Sequence, residues 1–333
     1  MGTIRSFTPA PEDAKETSLL DAIRKATRSS AGISALGLPP KTPILSDWLK
    51  EGDLGFIYAP RGLGKTWLSM GIACAIANGT TIGSWKAHGK NKVVYIDGEM
   101  SQDGIVERLE GMDAGENLTV LNHEVLFHLS EKTLNIADKA TQQALTEYLL
   151  EMKAKTLILD NLSCLATGME ESSSDSWELV LPWLLQLRRL KIAVIIVAHA
   201  GRNGFMRGTS RREDSAFWIL KLTPTGDDKT GGERQATFIS HFDKERNSGK
   251  AQQPIEWTFE TDASGIVKVT HKIADTLTVF RQWVEVGLNS ATEIAEAMEL
   301  SKGQVSKLAK RAMEAGWLVN ENRRYKLVSR TPA

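Results

Sequence analysis

A glycine-rich segment near the start of the sequence could bind the phosphates of a nucleotide. The apolar run Leu54–Tyr58 leads into this segment, and a helical pattern begins at Thr66. Backbone N–H groups of such a loop and the N-terminus of the following helix are suited to phosphate oxygens. We expect Lys65 to reach the β- and γ-phosphates of a nucleoside triphosphate and the hydroxyl of Thr66 to ligate Mg²⁺. The predicted phosphate-binding residues follow the P-loop pattern, with alanine at its first glycine position: Ala59, Pro60, Arg61, Gly62, Leu63, Gly64, Lys65 and Thr66.

Carboxylates end two later apolar runs. Glu99 comes two residues after the run Val93–Asp97, and Asp160 is the last residue of the run that starts at Thr156. In open α/β sheets, ligands lie at the carboxyl ends of the strands. A carboxylate there can hold Mg²⁺ through water or align a nucleophilic water. We predict that Asp160 binds the metal and that Glu99 aligns the attacking water, with Asp97 as the competing candidate for that second role.

The spacing of apolar residues predicts the elements that position these groups. Between residues 46 and 272, short apolar runs alternate with helical patterns, which indicates βαβ units around a buried parallel sheet, with later strands added at its edge. Residues 1–45 carry five prolines and predict a linker arm with one short helix, Thr17–Thr27. Residues 273–333 predict three helices and a hairpin. The expected fold is therefore α/β, with a mostly parallel sheet flanked by helices and a small C-terminal domain.

The order of these motifs resembles that of the RecA-like ATPases. In those proteins the catalytic glutamate follows the second strand in an IDxE run, and here IDGE and then LILDNL follow the P-loop. Two later features resemble the plasmid RepA-type hexameric helicases, namely a strand that ends in His199 and the segment Arg207–Ser210. The segment Lys244–Gly249, KERNSG, is also similar to the K-x-R-N-G segment of DnaB-type replicative helicases. The resemblance covers about residues 45–260.

The resemblance implies a RecA-like fold that binds ATP and Mg²⁺ at the interfaces of a homo-oligomer, with a hexamer favoured. His199 matches the position that senses the γ-phosphate. Arg207 matches the RepA-type arginine that reaches the neighbouring subunit's nucleotide, and Lys244 and Arg246 match the finger pair of DnaB-type rings. A fixed cation at the transferred phosphoryl group accelerates the reaction by about 10³–10⁵-fold. Whether Arg207 or Arg246 is the finger stays open.

The pore of such a ring is a point where this sequence differs from the helicase groups. The expected pore segments are Gly201–Met206 and Met169–Trp177, and they carry little positive charge beyond Arg202 and Arg207. Arg211 and Arg212, which follow closely, are expected to supply part of the missing charge. This shortage argues against a processive motor.

The C-terminal region resembles a winged helix, in which a helix-turn-helix is followed by a basic hairpin. From Ser301 to Lys326 there are seven Lys or Arg residues against Glu314 and Glu321, so this stretch is strongly basic. Such a surface suits phosphate contacts, and polar side chains on the second helix suit base edges. The alternative is a winged helix that binds protein. The predicted DNA-binding residues are Lys302, Gln304, Ser306, Lys307, Lys310, Arg311, Arg323, Arg324 and Lys326.

Composition restricts the other function classes. The 333 residues include 41 Lys and Arg and 41 Asp and Glu, so the whole surface does not favour nucleic acid and only a local patch could. Cys74 and Cys164 have neither metal-binding spacing nor a disulfide framework, which predicts a cytoplasmic location. Without an apolar run of about 18 residues or a secretory h-region, no membrane association is expected.

Two functions from different classes fit these patterns, and a third is weaker. The first is an oligomeric, DNA-associated ATPase resembling RepA-type replicative helicases. The second is an ATP-switched DNA-binding regulator or loader that does not unwind DNA. The third is a scaffold whose winged helix binds protein. DNA is the expected partner under the first two.

Overall fold

The computed structural model describes most of the chain. The described residues are 18–37, 39–167, 174–201, 206–207, 210–225, 235–249, 252–285, 287–298 and 300–328, and for residues 174–176 and 210 only the backbone is described. The chain divides into two compact units, Met1–Lys41 and Thr42–Ala333.

The first unit contains two short helices, α1 (Leu19–Ala26) and α2 (Ser30–Ala35). Ser18 caps α1 and Ser29 caps α2, since each serine hydroxyl accepts a hydrogen bond from a backbone N–H of the first turn. The sequence pattern predicts only one helix in this arm. The second forms where Ser29 supplies a new cap after the first helix has ended.

The second unit contains the remaining elements. Its helices are α3 (Lys65–Asn78), α4 (Gln102–Gly111), α5 (His123–Ser130), α6 (Lys139–Glu151), α7 (Leu162–Leu165), α8 (Ser174–Arg189), α9 (Ser210–Ser215), α10 (Thr276–Glu285), α11 (Ala291–Ala297) and α12 (Lys302–Glu314). Its strands are β1 (Pro43–Leu45), β2 (Leu49–Lys50), β3 (Leu54–Ala59), β4 (Thr81–Ile82), β5 (Trp85–Lys86), β6 (Val93–Asp97), β7 (Leu118–Asn122), β8 (Thr156–Asp160), β9 (Ala193–His199), β10 (Trp218–Thr223), β11 (Gln235–Glu245), β12 (Ile255–Thr261), β13 (Val267–Ile273), β14 (Leu318–Glu321) and β15 (Arg324–Leu327).

Within the described residues, nine strands form one sheet in the order β13-β12-β11-β10-β3-β9-β8-β6-β7. The six strands from β10 to β7 are parallel, and β11, β12 and β13 extend the sheet as antiparallel strands. Side chains alternate between two cores: Phe56 and Tyr58 pack on one face with α6 and α8, whereas Ile57 and Ala59 pack on the other with α3. The predicted α/β fold, with a mostly parallel sheet flanked by helices, is confirmed.

Three helices and a hairpin follow the sheet. α11 and α12 each begin with a capping box, Ser290 with Glu293 and Ser301 with Gln304. Their core includes Phe280 and Val284 of α10. In the part of the chain that the structure describes, no helix is both long and apolar enough to span a bilayer.

Helix α10 also packs against the sheet, which ties the C-terminal elements to the strands. Val279 packs with Ile239 of β11, and Trp283 contacts this cluster as well as the C-terminal core. The Nζ of Lys221 lies 5.2 Å from the centroid of the Trp283 ring, and the side-chain amide of Gln282 donates to the carbonyl of Pro224 at 2.7 Å. Helix α10 is therefore attached to the sheet through side-chain packing as well as through the chain.

Trp283→Ala is expected to lower the free energy of unfolding by about 2–3 kcal/mol, because it removes an aromatic side chain shared by two cores. Urea unfolding of the full chain measures the change. Leu179→Ala, at an exposed position of α8, is the control and should cost less than about 0.5 kcal/mol. Two well-separated unfolding transitions in the wild-type protein would contradict this packing.

Candidate nucleotide-binding site

The predicted phosphate-binding loop connects the carboxyl end of β3 to the N-terminus of α3. Ala59 and Leu63 are buried, whereas Pro60, Arg61 and Gly62 form the exposed rim of the loop. A parallel strand that feeds directly into a helix aims the loop's backbone N–H groups at one point. The sequence pattern therefore yields the strand-loop-helix geometry that binding of phosphate requires.

Gly64 is the position in this loop where a side chain cannot be accommodated. Its φ is +94°, and a Cβ added there would lie 2.5 Å from the ring of Phe238 on β11. Glycine is the residue that adopts this backbone conformation without steric cost. The close approach of β11 to the loop thus depends on the glycine that the motif supplies.

Lys65 lies inside the loop. Its side chain is buried, and its ammonium donates to the carbonyls of Pro60 at 3.0 Å and Ala59 at 3.3 Å. Burial lowers the pKa of Lys65, while the charges of Asp160 and Glu99 act in the opposite direction. The ammonium is thus close enough to both carboxylates to feel their charge, at the centre of the predicted site.

Asp160 is buried at the end of β8, and its carboxylate is hydrogen-bonded to hydroxyl groups. Tyr95 of β6 donates to Asp160 Oδ2 at 2.6 Å, and the hydroxyl of Thr66 is also hydrogen-bonded to this carboxylate. Burial raises the pKa of Asp160, and these hydroxyls together with the charge of Lys65 act against that shift. The two predicted magnesium ligands, Thr66 and Asp160, therefore lie next to each other.

Asp97 is opposite Asp160 in the register of β6 and β8. Its Oδ2 accepts hydrogen bonds from Asn122 Nδ2 at 2.7 Å and from the amide of Met100 at 3.2 Å. Burial and the charge of Asp160 raise the pKa of Asp97 to about 7. Because its lone pairs hold the chain that follows β6, this carboxylate is better suited to anchoring that chain than to aligning a water.

Glu99 is the more accessible of the two candidates for aligning water, with 53% of its side chain exposed. Its Oε2 accepts a hydrogen bond from the amide of Asn161 and lies 4.0 Å from Nε2 of His199. The same Asn161 amide nitrogen lies 3.3 Å from His199 Nε2. Glu99 and the predicted γ-phosphate sensor are thus joined through one buried amide.

Asn161 and Tyr95 contact the predicted site residues but belong to no motif recognisable in the sequence. Asn161 follows Asp160 directly, so its place after a strand-end carboxylate was an available signal. Its partners are 62 and 38 residues away in the sequence, on the segments that follow β6 and end β9. Tyr95 is the single hydroxyl within an apolar strand, a pattern that sequence alone does not distinguish from a core residue.

Arg207 lies near the sensor position, and the basic residues after it are engaged locally. The backbone N–H of Arg207 donates to the carbonyl of His199 at 3.1 Å. Arg212 is buried, packs over the ring of Trp177 at 5.3 Å and donates to the carbonyl of Arg207 at 2.9 Å. The expectation that Arg212 adds charge to a pore is therefore wrong, since its guanidinium lies in the interior. Arg211 forms an ion pair with Glu178.

Lys244 and Arg246 lie away from the P-loop of their own chain. The backbone N–H of Arg246 donates to the carbonyl of Phe217, whose own N–H donates to the carbonyl of Leu54 at the start of β3. Lys244 is opposite Ile219 of β10, and Ile219 is opposite Phe56 of β3, three residues before the end of that strand. At about 3.3 Å per residue and about 4.8 Å per strand, the backbone of Lys244 is roughly 14 Å from Ala59. The ammonium of Lys244 donates instead to the carbonyl of Glu213.

The predicted DNA-binding residues are all exposed and lie on α12 and the hairpin β14–β15. Four of them have local contacts: Gln304 Oε1 accepts from the amide of Ser301 at 2.8 Å, Ser306 donates to the carbonyl of Lys302 at 2.8 Å, Lys310 pairs with Glu314, and Lys326 pairs with Glu321. Gln304 is thus engaged in capping α12. The basic side chains of both elements are exposed.

Part of the predicted pore lies outside the described residues. This concerns Arg202 together with residues 203–205 and 169–173, and also Gly208 and Thr209 of the segment that resembles the RepA type.

The chain is similar to known proteins at the level of a family model and of solved structures. No curated protein sequence matches the chain. Flagellar accessory protein FlaH from Methanocaldococcus jannaschii aligns in structure with a TM-score of 0.45 and 14% identity, over 66% of this chain and 90% of that one. KaiC-like protein PH0186 from Pyrococcus horikoshii OT3 aligns with a TM-score of 0.44 and 14% identity, over 69% and 100%. The AAA_25 model, an AAA domain, matches residues 22–204, more than half of the chain. The chain therefore belongs to the AAA_25 family of AAA domains.

Proposed function

We propose that this protein hydrolyses ATP at the interfaces of a homo-oligomer, with a hexamer favoured, and uses the reaction to act on DNA as the RepA-type helicases do. One observation carries the proposal: the Glu99–Asn161–His199 chain of contacts lies beside Lys65 and Asp160 at the carboxyl edge of the parallel strands. Side chains at this edge can bind a triphosphate, align a water and, through His199, respond to the loss of the γ-phosphate.

The donor set at this edge fits magnesium. Thr66 and Asp160 offer oxygen atoms, which Mg²⁺ prefers, and neighbouring carboxylates add negative charge. Bound magnesium supplies neutralisation of the charge on the β- and γ-phosphates. Among the described residues no cluster of three or more His, Cys, Asp or Glu suits a metal held by protein alone, which accords with an ion shared with the nucleotide.

The side chains divide the work of hydrolysis. Lys65 binds the β- and γ-phosphates, and Glu99 orients the attacking water and withdraws its proton. Asn161 donates to Glu99 and holds that carboxylate in place. Since the Asn161 amide also meets His199, and the His199 carbonyl accepts from Arg207, a shift at Glu99 can reach the segment that begins at Arg207.

Turnover measured with and without DNA tests the proposal. The full chain should release phosphate from ATP only with Mg²⁺ and should elute as an oligomer when nucleotide is present. Stimulation by single-stranded DNA and strand displacement on a forked duplex would support the helicase. Sequence-specific duplex binding without displacement would support the regulator or loader. A monomer that releases no phosphate would contradict both.

The predicted DNA-binding residues of α12 are tested with point variants, since removing residues 273–333 would also remove the packing of α10 on the sheet. The double variant Lys307→Glu with Arg311→Glu is expected to weaken duplex binding at least about tenfold and to reduce the salt slope of log Kd by about 2. Fluorescence anisotropy over a salt series measures both. ATP turnover without DNA should be unchanged.

The matched control places the same charge change elsewhere. Lys132→Glu with Lys139→Glu alters two exposed lysines near and at the start of α6. This control should leave the DNA affinity within about twofold of wild type. Equal losses in the two double variants would show that net charge, rather than the surface of α12, controls binding.

A further inference from the structure

Tyr95 connects the two elements that carry the predicted magnesium ligands. Its side chain is 1% exposed, in the middle of β6. Its hydroxyl lies 2.6 Å from Oδ2 of Asp160 on β8 and 2.8 Å from Oγ of Ser69 on α3. One phenol thus contacts both the strand that ends in Asp160 and the helix that the P-loop opens.

The direction of these hydrogen bonds follows from the groups involved. An ionised Asp160 can only accept, so the Tyr95 hydroxyl donates its single proton to Oδ2. The Ser69 hydroxyl then donates to the phenol oxygen, with the carbonyl of Thr66, 3.1 Å away, as its alternative acceptor. The three groups form one directed chain that ends on the carboxylate.

This chain of hydrogen bonds restricts the position of both magnesium ligands. With Oδ2 held by Tyr95, the Asp160 carboxylate cannot rotate without breaking a buried bond to a charged group. Thr66 and Ser69 are three residues apart on α3 and so share one side of the helix. A contact that holds Ser69 therefore also sets the distance between Thr66 and Asp160.

We propose that Tyr95 is a positioning residue for magnesium. Its hydroxyl fixes the Asp160 carboxylate and holds α3 at a fixed position relative to β8. The proposal rests on the ATP site described under the proposed function and deepens it. Tyr95 itself touches neither metal nor nucleotide. It acts through Asp160 and Ser69, and its loss leaves the phosphate contacts of the loop in place.

The test is a magnesium titration of nucleotide binding with Tyr95→Phe in the full chain. A fluorescent ATP analogue at fixed concentration reports binding as Mg²⁺ is added. The Mg²⁺ concentration at half-saturation is expected to rise about tenfold, since a buried hydrogen bond to a charged group is lost. Affinity for the analogue in EDTA should stay within about twofold of wild type, because Lys65 and the loop are unchanged.

Two further variants separate positioning from a general loss of structure. Tyr148→Phe removes a hydroxyl from the half-buried Tyr148 of α6 and should not change the Mg²⁺ requirement. Ser69→Ala removes the other partner of the phenol and should raise the half-saturating Mg²⁺ by about threefold. A purely structural role would lower the melting temperature of Tyr95→Phe and leave its Mg²⁺ requirement at the wild-type value.

The outcomes divide clearly. If Tyr95→Phe folds and binds with wild-type magnesium dependence, the positioning role is overturned while the ATP site stands. If Tyr95→Phe does not melt cooperatively, the Ser69→Ala result decides, and an unchanged Mg²⁺ requirement there overturns the role. If the wild-type protein binds no analogue with or without Mg²⁺, the proposed function fails first.

Discussion

Replacing Glu99 with glutamine is expected to lower kcat for ATP hydrolysis by about 10³-fold and to leave the affinity for magnesium nucleotide within about threefold of wild type. Glutamine keeps the size of the side chain and an oxygen that can accept from the Asn161 amide. It cannot take a proton from water. The loss should therefore fall on the chemical step, as single-turnover phosphate release would show.

Two variants determine whether the loss belongs to Glu99. Lys65→Ala is the inactive reference, since it should abolish both ATP turnover and tight nucleotide binding. Asp97→Asn is the competing assignment and should lower kcat by less than about tenfold, because Asp97 is bonded to Asn122 and Met100. Normal turnover by Glu99→Gln together with a large loss in Asp97→Asn would transfer the water-aligning role to Asp97.

The parts of the site that the sequence predicted are those with local causes. A strand-loop-helix motif positions Lys65 and Thr66 by short-range geometry, and parallel strands bring their last residues to one edge. Gly64 combines both kinds of cause, since its positive φ is local but the ring of Phe238 that approaches it comes from β11. Local causes thus explain most of the predicted phosphate site.

The parts that the sequence did not predict depend on contacts between distant segments. The amide of Asn161 gains its role from Glu99, which follows β6, and from His199, which ends β9. Arginine is usually a surface residue, yet the guanidinium of Arg212 lies in the interior, where it contacts the ring of Trp177 and the carbonyl of Arg207. The packing of α10 on the sheet also depends on distant segments. Its amphipathic pattern predicts one buried face, but not that residues of this helix contribute to two separate hydrophobic clusters.

A second large effect on kcat is expected for one of the candidate finger residues, Arg207, Lys244 and Arg246. Because Lys244 and Arg246 lie away from the P-loop of their own chain, we expect any assistance from them to act on a neighbouring copy. Of the variants Arg207→Ala, Lys244→Ala and Arg246→Ala, the one that removes the finger should lower kcat by about 10³-fold or more. The others should lower it by less than about tenfold. Steady-state turnover at saturating ATP ranks them.

Mixing inactive proteins tests action between subunits directly. A Glu99→Gln chain has an inactive site but an intact finger, whereas a finger variant has an intact site but no finger. In an equal mixture, a productive site needs a finger-variant chain next to a Glu99→Gln chain, so about one quarter of wild-type turnover should return if subunits assort at random in a head-to-tail ring. No recovery, when exchange of subunits is demonstrated by labelled chains, would show that the cation acts within its own chain. That result would favour Arg207, whose backbone N–H donates a hydrogen bond to the carbonyl of His199, over Lys244 and Arg246.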